Sequence, residues 1–142
     1  MKATVTLTDI NDDAAASVVR QGLKEYNTQQ VGYWDGKPLN VLVSDSETGK
    51  VIGGMLGLTS LGLYFVNVFF LPEALRGGGL GSRMLRMGES EARQRGCEQV
   101  VLYTLTFQAP GFYERHGYRE FGRIRSGPPG TARIWMTKAL SG

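Results

Sequence analysis

Apolar and polar positions change period several times along this chain, and each change marks an element. Ala3–Thr8 is rich in β-branched residues and reads as a strand. Asn11, Asp12 and Asp13 then supply capping oxygens and negative charge. Ala15, Val18, Val19, Leu23 and Tyr26 follow at helical spacing, so a helix is expected to run to about Asn27. The polar run 28–38, with two glycines and a proline, reads as a loop or a short irregular helix. Leu39–Ser44 and Val51–Leu58 form a hairpin around Asp45–Lys50. A tight turn at Ser60–Gly62 leads into Leu63–Leu71, which is apolar at both alternating sets of positions and therefore belongs at the centre of a sheet.

After residue 79 the period becomes helical. Gly81, Leu85, Gly88 and Ala92 line a stripe beside Leu80, Met84 and Met87, while Arg83, Arg86, Glu89 and Arg93 are assigned to the opposite side. Glu89 with Arg93 and Glu91 with Arg95 stand four apart, the spacing of helical ion pairs. Val100–Phe107 is a further buried strand, and "APGFYERHG" is a short helix opened by Pro110 and stopped by Gly117. Tyr118–Ile124 and Thr131–Leu140 are strands on either side of "RSGPPG". The order β, α, β, β, β, α, β, α, β, β predicts one α/β layered domain over residues 1–142. Its sheet is mixed and mostly antiparallel, of about seven strands with helices on both faces, and one crossover helix joins two parallel neighbours.

Composition narrows the function classes. A hydrophobic content of 42% with 20% charged residues is that of a water-soluble globular chain, and the apolar stretch around Leu61–Leu71 is too short to span a bilayer, so no membrane partner is expected. The first residues lack the apolar segment of a secretory signal, and Cys97 has no second cysteine to pair with, which points to a cytoplasmic location. A net charge of +3 suits a phosphorylated small molecule or nucleic acid. Arg76, Arg83, Arg86, Arg93 and Arg95 do not form one stripe, because Arg76 lies in a loop and Glu89 and Glu91 interrupt the series, so nucleic acid is not expected. No metal ligands are assigned.

The densest signal is "RGGGLGS", residues 76–82, between the strand ending at Leu71 and the helix beginning near Gly79. Unpaired N–H groups at a helix start and the positive end of its dipole attract an anion, and glycines let a bulky phosphate reach the main chain, so a pyrophosphate is the natural guest. No Lys-Ser/Thr pair follows, and the run is not G-x-G-x-x-G leading to an acidic strand end. The nucleotide loops built on those patterns are therefore set aside.

"RGGGLG" resembles the Arg/Gln-x-x-Gly-x-Gly/Ala signature of the GCN5-related N-acetyltransferases, the GNAT superfamily. The resemblance extends in register through "VFFLPEALRGGGLGSRML" and "FQAPGFYERHGY", covers about residues 39–124, and is similar in wording to a bacterial subgroup whose members often lack an assigned acceptor. It implies acetyl-CoA as acetyl donor. Arg76, Gly77, Gly78, Gly79, Leu80, Gly81 and Ser82 would cradle its pyrophosphate, mainly through backbone amides. Phe69, Phe70 and Leu71 would offer main-chain groups to the pantetheine arm, where two parallel strands splay apart. Thr106, Ala109, Phe112 and Tyr113 would complete the cofactor site, with Thr106 standing where the family commonly has Asn.

The resemblance also implies catalytic roles for the Leu71 N–H, as oxyanion donor, and for Tyr113, as general acid. With a phenol near pKa 10 and a thiol near about 8.5, Tyr113 should help without being indispensable. The implied reaction is direct acetyl transfer to a primary amine of a small molecule or peptide; the alternative is a noncatalytic acyl-CoA-binding or sensing module. Glu25, Asp35 and His116 are candidate bases, with His116 also readable as a helix-end cap, Glu73 as a residue that orders its loop, and a water chain as a further route. The acceptor pocket would draw on "VGYWDGKP" and "RSGPPGT", where Tyr33 and Trp34 could form an apolar wall and Asp35 could hold an ammonium. Cys97 reads as a buried inert thiol, and pairing through the last strands into a homodimer stays open.

Overall fold

The Asp12 carboxylate accepts the Ala15 N–H at 3.1 Å and starts a helix, α1 (Asp13–Val31), which Gly32 ends in the left-handed region with φ 95°. The computed structural model describes residues 1–140, in two units: Met1–Trp34, and the residues from Asp35 onward. Ala3–Thr8, expected as a strand, has no regular structure. Composition alone does not make a strand; it needs a partner for its N–H and C=O groups, and α1 is the only regular element within Met1–Trp34. The helix runs four residues past the expected Asn27, into the segment read as a loop or irregular helix.

The second unit is a mixed α/β structure built on a seven-stranded, mostly antiparallel open sheet. Its strands are β1 (Lys37–Pro38), β2 (Val41–Ser44), β3 (Val51–Ser60), β4 (Leu63–Phe70), β5 (Gln99–Leu105), β6 (Arg119–Ser126) and β7 (Thr131–Ala139). They lie in the order β1-β3-β4-β5-β7-β6, with β2 also paired to β3. The short β1 was not legible in the sequence and takes the place of the expected N-terminal strand in the count. Only β4 and β5 are parallel, joined through α2 (Leu80–Gln94); a short helix, α3 (Pro110–Arg115), follows β5. Leu61 and Gly62 turn the chain from β3 into β4 with φ 47° and 86°, and the Asp35 carboxylate accepts the Leu61 N–H at 2.9 Å.

Met84, Leu85, Gly88, Glu89 and Ala92 are the buried residues of α2. Gly88 brings the helix axis close to the sheet, since a Cβ there would lie 2.5 Å from the Met55 methyl and 2.9 Å from the Tyr64 hydroxyl. Both of those residues are fully buried. Gly88→Ala is accordingly expected to lower stability by about 1–3 kcal/mol through overpacking, measurable by urea denaturation.

Two sequence expectations for α2 change. Met87 is exposed, and Glu89, assigned to the polar side, is only 2% exposed. Leu85, Glu89 and Ala92 share the i, i+4, i+7 stripe, so position decided the burial of Glu89 against its residue type. Its partners are Lys138 Nζ at 2.8 Å and the Tyr118 hydroxyl at 2.7 Å. The expected partner, Arg93, instead donates to the Leu140 carbonyl at 3.1 Å. The Glu91–Arg95 pair forms, at 2.8 Å.

Candidate active site

The parallel ladder between β4 and β5 runs from Leu63↔Gln99 to Val66↔Leu102 and stops, although β4 continues to Phe70 and β5 to Leu105. Its end coincides with a bulge. Leu56 pairs with Val68 and Gly57 with Val66, so Asn67 is the extra residue that turns β4 away. Beyond it, Val68, Phe69 and Phe70 stay paired to β3 on one side, and Tyr103, Thr104 and Leu105 stay paired to β7 on the other. Each strand thus has a free edge facing the gap, as the resemblance implied for splayed parallel strands.

At the mouth of this gap the chain passes through a single 3-10 turn, Glu73–Leu75, and the glycine loop into α2. Among the described residues, the backbone N–H groups of Gly77, Gly78, Gly79, Leu80, Gly81 and Ser82 have no backbone acceptor; the first such bond in this stretch is from Arg83 to Gly79. Six successive amides at a helix start form a concentrated anion-binding surface.

The glycines serve different ends. Gly77 and Gly79 have φ 84° and 86°, which side chains rarely adopt. Gly78 has neither a positive φ nor any atom within 4 Å of an added Cβ, so nothing in the protein itself requires it to be glycine. Gly81 lies against the Phe112 ring, where an added Cβ would stand at an ordinary contact distance of 3.4 Å. Arg76 contributes no free amide: its N–H donates to the Glu73 carbonyl at 3.1 Å and its Nε to the Leu71 carbonyl at 2.9 Å, so it braces the loop and keeps the two Nη groups of its guanidinium for an anion.

The α3 helix stands beside the end of β4 through an aromatic cluster. Ring centroids of Phe69 and Phe112 are 5.9 Å apart, Phe69 and Tyr113 6.3 Å, and Tyr113 and Tyr118 5.7 Å. Tyr113 is 8% exposed, and its hydroxyl makes no hydrogen bond to the described residues. Desolvation pushes this phenol up to about 12. Leu71 is buried at the end of β4, and its N–H has no backbone acceptor among the described residues. Thr106 is tied to β7, donating its N–H to the Ala132 carbonyl at 3.0 Å and accepting the Ala132 N–H on Oγ1 at 3.2 Å, which leaves its hydroxyl proton free. Ala109 caps α3 with its carbonyl on the Phe112 N–H, at 3.2 Å.

The candidate bases have other partners. Asp35 holds the β3–β4 turn, at the opposite end of β4 from the gap. The 8 residues of that strand put about 25 Å between them, so Asp35 is removed from the acid–base candidates and from the acceptor site. His116 Nε2 lies 2.8 Å from Ser82 Oγ, and its ring packs on Phe112 with centroids 4.9 Å apart. That pairing was not expected, although the four-residue spacing of Phe112 and His116 places both on one helical face. Glu25 belongs to the first unit, where it accepts from Gln21 at 3.3 Å. Cys97 is buried, and burial pushes its thiol up, away from nucleophilic character. Among the described residues no cluster of metal ligands is present, and no helix is long and apolar enough to cross a membrane.

Known proteins are similar to this chain in sequence and fold. The family model described as an acetyltransferase (GNAT) domain matches residues 25–120. An acetyltransferase of Agrobacterium fabrum is 34% identical over 132 residues, covering 93% of this chain and 96% of the relative. The blasticidin-S acetyltransferase of Streptomyces morookaense is 36% identical over 109 residues, covering 75% and 80%. Among solved structures, one from Agrobacterium tumefaciens superposes with a TM-score of 0.88 at 33% identity, covering 96% of this chain and 99% of that one. An acetyltransferase from Bacillus cereus superposes with a TM-score of 0.75 at 26% identity, covering 94% and 97%. Family match, near full-length similarity and a shared fold agree: the chain belongs to the GNAT acetyltransferase family and is an acyltransferase enzyme.

Proposed function

We propose that the enzyme moves an acetyl group from acetyl-CoA to a primary amine of a small molecule or peptide, by direct attack of the amine. The observation that carries this reading is the row of six unpaired amides, Gly77 to Ser82, at the head of α2 beside the gap between β4 and β5. The donor set fits a diphosphate: neutral N–H groups in series, open space over Gly78, and the helix dipole behind them. Arg76 adds positive charge. The free edges of Phe69, Phe70 and Leu71 suit an extended amide-bearing arm, with Thr106, Ala109 and Phe112 on its other side. When bound, acetyl-CoA supplies an activated acyl group and a thiol leaving group.

In this reading the Leu71 N–H donates to the thioester carbonyl oxygen as negative charge builds there. Tyr113 donates its hydroxyl to the departing sulfur. A phenol near 12 facing a thiol near about 8.5 makes complete proton transfer uphill, so Tyr113 stabilises the leaving sulfur by hydrogen bonding more than by early protonation. Tyr113→Phe is therefore expected to lower kcat by about ten- to a hundredfold without abolishing it. The raised pKa keeps the phenol protonated to about pH 11. The wild-type rate should consequently show no alkaline fall due to Tyr113 below that pH, and a limb near pH 9–10 removed in Tyr113→Phe would refute this role. With Asp35 and His116 engaged elsewhere, the proton from the attacking amine is assigned to water.

The test is thiol release from acetyl-CoA by the purified protein against polyamines, aminoglycosides, amino acids, short peptides and blasticidin S, the last because one relative is named for it. Release above background hydrolysis with one acceptor class supports the reading. Background rates with every amine, in a protein that binds acetyl-CoA, would defeat the acetyl-to-amine assignment.

A further inference from the structure

Ser82 is the third residue of α2, and its N–H is the last of the six free amides. Its hydroxyl is held 2.8 Å from His116 Nε2, across 34 residues of sequence. The hydroxyl has one proton to give. If His116 Nε2 is the acceptor, that proton points into the protein and away from the amide row. If Nε2 carries the ring proton, it donates to Ser82 Oγ, and the hydroxyl proton is released to turn toward an anion on the neighbouring amides. His116 is fixed for this by its ring contact with Phe112, centroids 4.9 Å apart, and Phe112 in turn lies against Gly81.

We propose that His116 is a positioning residue of the cofactor site: its Nε2–H holds Ser82 Oγ so that the hydroxyl becomes a seventh donor to the cofactor's diphosphate. The proposal rests on the acetyl-CoA reading above. It gives His116 a role at the diphosphate, distant from the acyl chemistry for which the residue type is usually considered. No other ionised group is needed, because a neutral imidazole with its proton on Nε2 suffices.

The test is a double-mutant cycle read by calorimetric titration with CoA, with S-acetylpantetheine, which lacks the diphosphate, as the control ligand. His116→Leu removes the donor and is expected to weaken CoA binding about tenfold, as is Ser82→Ala. The double variant should lose no more than Ser82→Ala alone, because both changes delete one contact. His116→Gln, whose amide can donate to Ser82, should recover most of the affinity. Affinity for S-acetylpantetheine should be the same in the wild type and all four variants. Additive losses, failure of His116→Gln to recover, or equal weakening toward S-acetylpantetheine would overturn the proposal and leave His116 as a packing residue of α3. A wild-type protein that does not bind CoA at all would instead defeat the underlying reading of the loop.

Discussion

Gly78→Asp is expected to weaken CoA binding by a hundredfold or more while leaving the melting temperature unchanged or slightly raised. The two effects have opposite signs because the site is a surplus of positive potential waiting for an anion. Gly78 needs no positive φ, and nothing lies within 4 Å of an added Cβ, so the side chain enters without displacing protein atoms. Replacing glycine also restricts the unfolded chain. A carboxylate near the head of α2 interacts favourably with the helix dipole, by about 0.3–1 kcal/mol. The same carboxylate occupies the amides and repels a diphosphate. Two unit charges about 4 Å apart at an effective dielectric of about 20 cost roughly 4 kcal/mol, and about 2.7 kcal/mol is already a hundredfold in affinity. Gly78→Ala separates size from charge and should lose far less. The measurement is calorimetric titration with CoA beside thermal denaturation. Unchanged CoA affinity in Gly78→Asp would mean that the amide row is not where the diphosphate sits.

What could be read from the sequence follows from which interactions are local. The glycine loop and the start of α2 were legible because backbone conformation and unpaired amides depend on neighbours in sequence, and Gly77 and Gly79 announce their φ values by residue type. The central position of β4 was legible from its double apolar pattern. The family resemblance placed the splay of β4 and β5, but residue spacing did not, since the gap depends on a register shift at Asn67 that involves β3. Ala3–Thr8 shows the converse failure, a strand composition with no ladder to join. Glu89 and Asp35 were misplaced for one reason: a carboxylate was read by its own polarity, and its partner, Lys138 or the Leu61 N–H, stood far along the chain. The contact between Ser82 and His116 escaped notice in the same way, although each residue was singled out by itself, because the contact joins residues 34 apart and belongs to no motif.

The buried carboxylate carries the largest expected effect on stability. Lys138→Met should destabilise the protein by about 3 kcal/mol, because it leaves Glu89 charged in the interior with one partner. Glu89 Oε1 accepts from Lys138 Nζ at 2.8 Å and Oε2 from the Tyr118 hydroxyl at 2.7 Å. Burial first, and then the adjacent Glu89 carboxylate, push the Tyr118 phenol well above its ordinary value, so Tyr118 remains a donor and cannot neutralise the charge. The Lys138 side chain is 21% exposed against 3% for Glu89, so part of its charge is already screened, and the cost belongs at the lower end of the range for breaking a buried pair. Adding Glu89→Gln to Lys138→Met should recover most of the loss: an amide still accepts from Tyr118, and no charge remains to be compensated. Glu89→Gln alone should cost about 1 kcal/mol, since Lys138 can turn toward solvent. Urea denaturation of the four proteins decides the matter, and Lys138→Met within about 0.5 kcal/mol of wild type would show that the pair contributes nothing net. The location gives the pair its importance, because Glu89 lies midway along the helix whose first turn bears the free amides, and Lys138 lies on β7, the strand paired to the far side of the gap. Loosening it should disturb the helix carrying the amide row before it disturbs the sheet.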